Sequence, residues 1–268
     1  HGAVSLSLVF FPALLQSSLQ KNTAHRDMFS VDRHHTRACS AMEHPNTHTR
    51  SPMVTGTSVI GIKVNAGVVI GADMTASYGS LLRFRNAPRI HSIGDCTLIS
   101  GSGEYSDFQE MMILLNELVA TNANYDDRHA LGPKSFHKWV ADEQYHKRNK
   151  MDPLYNQFIV GGYKDGTPYL GYSDLYGTKF EDCTLATGYG AYIARPLLRK
   201  HHRADMSLDE AKELVTTCLR ILFYRDCQAS SKVQIAVADA NGLNISAPIE
   251  LSSKWTLGEN TDQFFKPE

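Results

Sequence analysis

The 268-residue chain has no apolar run approaching the ~18 residues that a membrane-spanning helix needs. Its opening stretch, VSLSLVFFPALL (4–15), could form a signal-peptide core. It has no basic leader before it and no small-x-small cleavage site, so a secreted binding module is the least expected reading. Charge of one sign is also missing. Lys and Arg number 27 against 28 Asp and Glu, a net of -1, which gives no field for nucleic acid or an anionic membrane surface. The five cysteines (Cys39, Cys96, Cys183, Cys218, Cys227) are odd in number and lack paired spacing. That excludes a disulfide framework or zinc site and predicts free, mostly buried thiols in a reducing compartment. No Gly-rich phosphate loop exists either, because GSG (101–103) and GYG (188–190) lack nucleotide-motif spacing. No metal or cofactor is expected.

What the chain does have is an apolar content of 42%, enough for the core of a large domain. Residues 1–48 stand apart: they show no helical or strand period and carry six of the twelve histidines, irregularly spaced. They read as a disordered or removable leader rather than a metal site.

From Thr57 the patterns become regular. TSVIGIKV alternates, with Ser58, Ile60, Ile62 and Val64 on one face. NAG then turns the chain, with Gly67 closing a three-residue hairpin, and VVIGAD returns as a strand apolar on both faces. CTLISGSG is a further strand. Tyr105, Phe108, Met111, Met112, Leu115, Leu118 and Val119 follow a 3.6-residue period, and a second helix covers KSFHKWVADEQYHK. NQFIVGGY, PYLGYSD and TKFEDCT form three strands separated by Asp165-Gly166 and LYG turns. A helical stretch containing Pro196 comes next. Ser207 and Glu210 then form a capping box ahead of the stripe Ala211, Leu214, Val215, Cys218, Leu219, Leu222. VQIAVAD, Asn241-Gly242 and LNISAPIE close the chain as a hairpin.

The order ββ, αα, βββ, αα, ββ places antiparallel sheets between helix pairs. The predicted class is α+β, a four-layer αββα sandwich, with a domain over 49–250 and a C-terminal tail over 251–268 reaching neighbouring molecules.

This order, with GTSVIGIK, GVVIGAD, SGSGEYSDFQ and FYRDC, resembles the β-type subunits of the proteasome core particle, members of the N-terminal nucleophile hydrolases. SPMVTGTSV, ADMTASYGSLLRFRN, GGYKDGTPYLGYSDLYG and ATGYGAYIARPLLR extend the likeness over roughly 49–249. Active members of that family cut peptides with a Thr whose own α-amine, of pKa near ~8, is the general base. The resemblance puts the nucleophile on Thr57, preceded by Gly56, and keeps two aspartates, Asp73 and Asp226. The family's lysine falls on Arg89, whose guanidinium is not a tunable ammonium. The two serines fall on Tyr189 and Ala229. Three of these six positions keep the family residue and three do not. Such constellations fail as a unit.

The resemblance therefore implies a non-catalytic structural subunit. It would take part in ubiquitin-dependent protein degradation with other α and β subunits, in the cytoplasm and nucleus. The alternative is an active threonine protease subunit released at Gly56–Thr57. For the inactive reading, processing is expected at Thr49, and Asp73 and Asp226 would only cap backbone amides. Trp255, Phe264 and Phe265 in the tail are expected at an interface.

Overall fold

The computed structural model of the chain describes residues 51–125 and 130–255. The expected leader 1–48, Thr49, Phe264 and Phe265 lie outside the described residues. Eighteen elements follow one another: β1 (Val54–Gly56), β2 (Val59–Val64), β3 (Gly67–Asp73), β4 (Ala76–Tyr78), β5 (Leu81–Phe84), β6 (Ile90–Ile93), β7 (Thr97–Glu104), α1 (Tyr105–Asn124), α2 (Pro133–Asn149), β8 (Asn156–Lys164), β9 (Thr167–Ser173), β10 (Lys179–Glu181), β11 (Thr184–Ala186), α3 (Gly190–His201), α4 (Leu208–Arg225), β12 (Lys232–Asp239), β13 (Gly242–Ile245) and β14 (Ile249–Glu250).

They build two antiparallel sheets. One has the order β10-β9-β8-β7-β1-β4-β5, with β6 also on β7. The other has the order β11-β2-β3-β12-β13, with β14 also on β12. Strand periodicity divides the side chains between layers. Val68, Ile70, Leu98, Ile159 and Leu170 meet between the sheets. On the next residues along, Val69, with Ile60 and Ile62, meets Val215, Cys218 and Leu222 of α4. Ile99, Phe158 and Val160 meet Phe108, Met111, Phe136 and Val140 of α1 and α2. A central strand covered on both faces must be apolar at every position, which is why β3 shows no alternation. The four-layer αββα sandwich is the observed architecture.

The capping box at Ser207 forms as expected, with Glu210 N–H donating to Ser207 Oγ (3.2 Å) and Ser207 N–H to the Glu210 carboxylate (2.8 Å). Several local readings are corrected. The β2–β3 turn has two residues, not three, since Val64 pairs directly with Gly67. Gly67 is required because a Cβ there would lie 2.4 Å from the Ala238 carbonyl oxygen of β12. TKFEDCT is not one strand. Lys179–Glu181 is an exposed edge of the first sheet, and at Asp182–Cys183 the chain crosses to the second, where Thr184–Ala186 is buried against β2. LNISAPIE also divides, because Pro248 has no N–H for the ladder. The four described cysteines are free, but only Cys218 is buried; Cys183 and Cys227 are exposed. Burial pushes the Cys218 thiol up to about 12, leaving it inert.

Candidate active site around Thr57

Thr57 lies between β1 and β2, at the end of β3 and beside β7. Its hydroxyl donates to Asp73 Oδ1 at 2.6 Å and accepts from Arg89 Nη2 at 3.2 Å. Asp73, the last residue of β3, is buried and fully engaged. Besides Thr57 it accepts from Arg89, from Thr75 Oγ1 (2.5 Å) and from the Ser230 backbone N–H (3.2 Å). It is therefore more than a cap on nearby amides, contrary to the expectation from the sequence.

Arg89 holds this cluster together. Only 1% exposed, it ion-pairs with Asp73 and donates to four backbone carbonyls: Asp73 (3.1 Å), Thr57 (2.7 Å), Ser58 (3.3 Å) and Gly101 (3.4 Å). A guanidinium offers five N–H donors in a planar fork, and these acceptors, drawn from the link between β1 and β2, from β3 and from β7, use them all. An ammonium has three donors and could not span the set. Ser100 Oγ in turn donates to the Arg89 carbonyl (2.7 Å). Gly56 follows from the same packing, since a Cβ there would lie 2.7 Å from Arg89 Cδ.

The nitrogen of Thr57 belongs to the Gly56–Thr57 peptide bond, so its lone pair is delocalised and cannot take a proton from the hydroxyl. The segment before it is a working part of the sheet. β1 sits between β7 and β4, antiparallel to both, with Gly56 opposite Gly103 and Ala76. Where the strand begins, the backbone N–H groups of Met53 and Val54 both donate to the buried Glu104 carboxylate. Removing 51–56 would strip β4–β5 of its one strand neighbour among the described residues.

The other expected positions are nearby without completing a catalytic set. Asp226 ends α4, and its carboxylate accepts from the Gln228 N–H (3.0 Å); among the described hydrogen bonds none joins it to Thr57. Ala229 supplies only a methyl to a void of ≈ 10 Å³ under Thr57, shared with Asp73, Leu219 and Leu222. That is at most about one water's room. Tyr189 precedes α3 and is 66% exposed, at the rim of a cleft of ≈ 280 Å³ also bordered by Thr57, Ser102, Asn156 and Gln228. Among the described residues, no group of three His, Cys, Asp or Glu is arranged to hold a metal ion.

Sequence reasoning missed Thr75, Ser100, Glu104 and Ser230. Ser230, one position after Ala229, could have been suspected as a substitute, although it contributes its backbone N–H while its hydroxyl accepts from Lys232 N. Trp255, expected at an interface, packs on its own chain, with its ring 5.6 Å from Phe223 and edge-on to Tyr224 at 4.9 Å, and remains 63% exposed.

A sequence profile of the proteasome subunit family matches residues 53–238, which contain all six of the site positions described above. The chain belongs to the proteasome subunit family. Its relatives include proteasome subunit beta type-4 of Dictyostelium discoideum, 47% identical over 79% of this chain and 83% of its own length. The beta type-4 subunit of Xenopus laevis is 40% identical over 80% of this chain and 89% of its own. Proteasome subunit beta type-7 of Saccharomyces cerevisiae is 38% identical over 85% and 90%. As a proteasome subunit the chain assembles with other proteasome subunits in a stacked-ring particle.

Proposed function

We propose that this chain is a non-catalytic, structural β subunit of the proteasome core particle, serving ubiquitin-dependent protein degradation in the cytoplasm and nucleus. One observation carries the reading: β1 is an interior strand of a sheet, so the residues ahead of Thr57 are needed for the fold. Release at Gly56–Thr57, which the protease alternative requires, would free the amine only by removing that strand. Arg89 supports the same conclusion, since every donor it has is committed to structure.

Processing then falls upstream, at Thr49, and is performed by other subunits. The tail 251–268 reaches a neighbouring subunit through Phe264, Phe265 and the exposed part of Trp255, and helps two half-particles join. Mass spectrometry of the chain from the purified particle is expected to find a first residue at or before Thr49. A covalent inhibitor that traps an N-terminal threonine is expected to label other subunits and not this one. A chain beginning at Thr57, or one labelled by the inhibitor, would overturn the proposal. Thr57→Ala is expected to leave all peptide-cleaving activities of the particle unchanged.

A further inference from the structure

Among the described residues, the longest unbroken exposed run is the outer part of the β4–β5 hairpin. Residues 78–86 are exposed without a break. They include Tyr78, Leu81, Leu82 and Phe84, of which Leu81 is 62% exposed. Neighbouring positions on a strand point to opposite faces, so exposure of both Leu81 and Leu82 means that β5 stands clear of the body on both sides, while Ala76 and Ser77 of β4 are buried at its base. β5 is also the last strand of its sheet, with its outer edge unpaired among the described residues. Few tethers hold it: three residue pairs to β1, Gln228 Nε2 to the Gly79 carbonyl (3.1 Å) and Lys232 Nζ to Asn86 Oδ1 (2.5 Å). An apolar edge strand left in water is a template for aggregation unless something covers it.

Its charge indicates the kind of cover. The segment SYGSLLRFRN (77–86) carries Arg83 and Arg85 and no carboxylate. Arg83 lies 5.6 Å over the Phe84 ring, and neither guanidinium has an acidic partner among the described residues. Two copies of this edge meeting antiparallel would bring arginines of like charge together, which disfavours a second copy of this chain. Aromatic and arginine side chains together are the usual anchors of a protein interface. Resting on the reading of the chain as a ring subunit, we propose that the β4–β5 hairpin inserts into a different proteasome subunit, at an apolar pocket rimmed by carboxylates.

The test uses the full-length chain in cells that assemble the particle. A photo-crosslinking phenylalanine analogue in place of Leu81 or Phe84 is expected to join this chain to one other subunit in the purified particle. A chain that enters the particle but gives no crosslink, or one only to a second copy of itself, would overturn the docking proposal and leave the structural-subunit reading standing. Absence of the unsubstituted chain from the particle would overturn both. In parallel, Leu81→Ser with Phe84→Ser, and separately Arg83→Glu with Arg85→Glu, are each expected to lower the incorporated fraction about tenfold, in the range of hot-spot losses. The second pair changes only exposed charges, so it distinguishes a docking defect from a folding one. Incorporation of both variants at the unmodified level would overturn the proposal.

Discussion

Arg83, Arg85 and Arg89 lie within a few residues of one another and have opposite fates. The first two stand in solvent on the β4–β5 hairpin, while Arg89 is sealed under Thr57 with an aspartate and four carbonyls around it. A guanidinium cannot discharge to escape burial, so the chain must either satisfy every donor or leave the group in water. The buried floor takes the first course, which ties β3, β7 and the Thr57–Ser58 link together around one guanidinium. The hairpin takes the second, which leaves its charge free to choose a partner.

The comparison breaks most sharply at Arg89. Arg89→Met is expected to destabilise the full-length chain by about 3–5 kcal/mol, because it leaves Asp73 buried without its counter-charge. Chemical denaturation measures this, and a loss below about 1 kcal/mol would show that the cluster is not needed for the fold. Gly56→Ala probes the same packing from the other side. Its methyl meets Arg89 Cδ, and an overpacking cost of about 1–3 kcal/mol is expected from the same measurement.

His137 sharpens the rule, because unlike arginine it can discharge. It is buried between α2 and β9, its Nδ1 2.6 Å from the Tyr169 hydroxyl and its Nε2 2.8 Å from the Tyr172 carbonyl. Desolvation holds its pKa below the ordinary value, partly opposed by the Tyr172 carbonyl; Lys179 lowers it further and Glu181 raises it. The unfolded imidazole takes its proton near pH ~6.5 while the folded one still resists. Stability contributed at this site is therefore present above that pH and is lost as pH falls through it toward the folded pKa. His137→Gln is expected to shrink the difference in unfolding free energy between about pH 8 and about pH 5. An unchanged difference would show that His137 does not titrate as described. The smallest effect belongs to the hairpin. Arg83→Ala with Arg85→Ala is expected to change the stability of the free chain by no more than about 0.5 kcal/mol, whatever it does to assembly. A larger loss would mean that the hairpin's charges hold the fold after all.

The long elements were legible before any coordinates. Helices α1 and α4 carry an unbroken 3.6-residue stripe, and β3 and β12 are apolar enough to declare themselves central. The strands β1, β4, β5 and β6 were not. Each has three or four residues, too few for a period to show, and β5 presents apolar side chains where a strand packed on a core would alternate with polar ones. At the site, Thr57, Asp73 and Arg89 were found through a family likeness, but the parts played by Glu104 and Ser230 were not legible. Their parts are played by a carboxylate receiving distant amides and by a backbone N–H, and neither leaves a spacing signal.

By itself the sequence determined the order of the long elements, the layers they must form and the loss of a tunable lysine, because periodicity and residue chemistry are local properties. Only the tertiary structure decided that Val54–Gly56 belongs inside a sheet, that Arg89 spends all its donors on strands far apart in the chain, and that the hairpin is left bare. The physical reason is that hydrogen-bond satisfaction and burial depend on which distant segments meet, and a strand of three residues gains its place from its neighbours rather than from its own side chains.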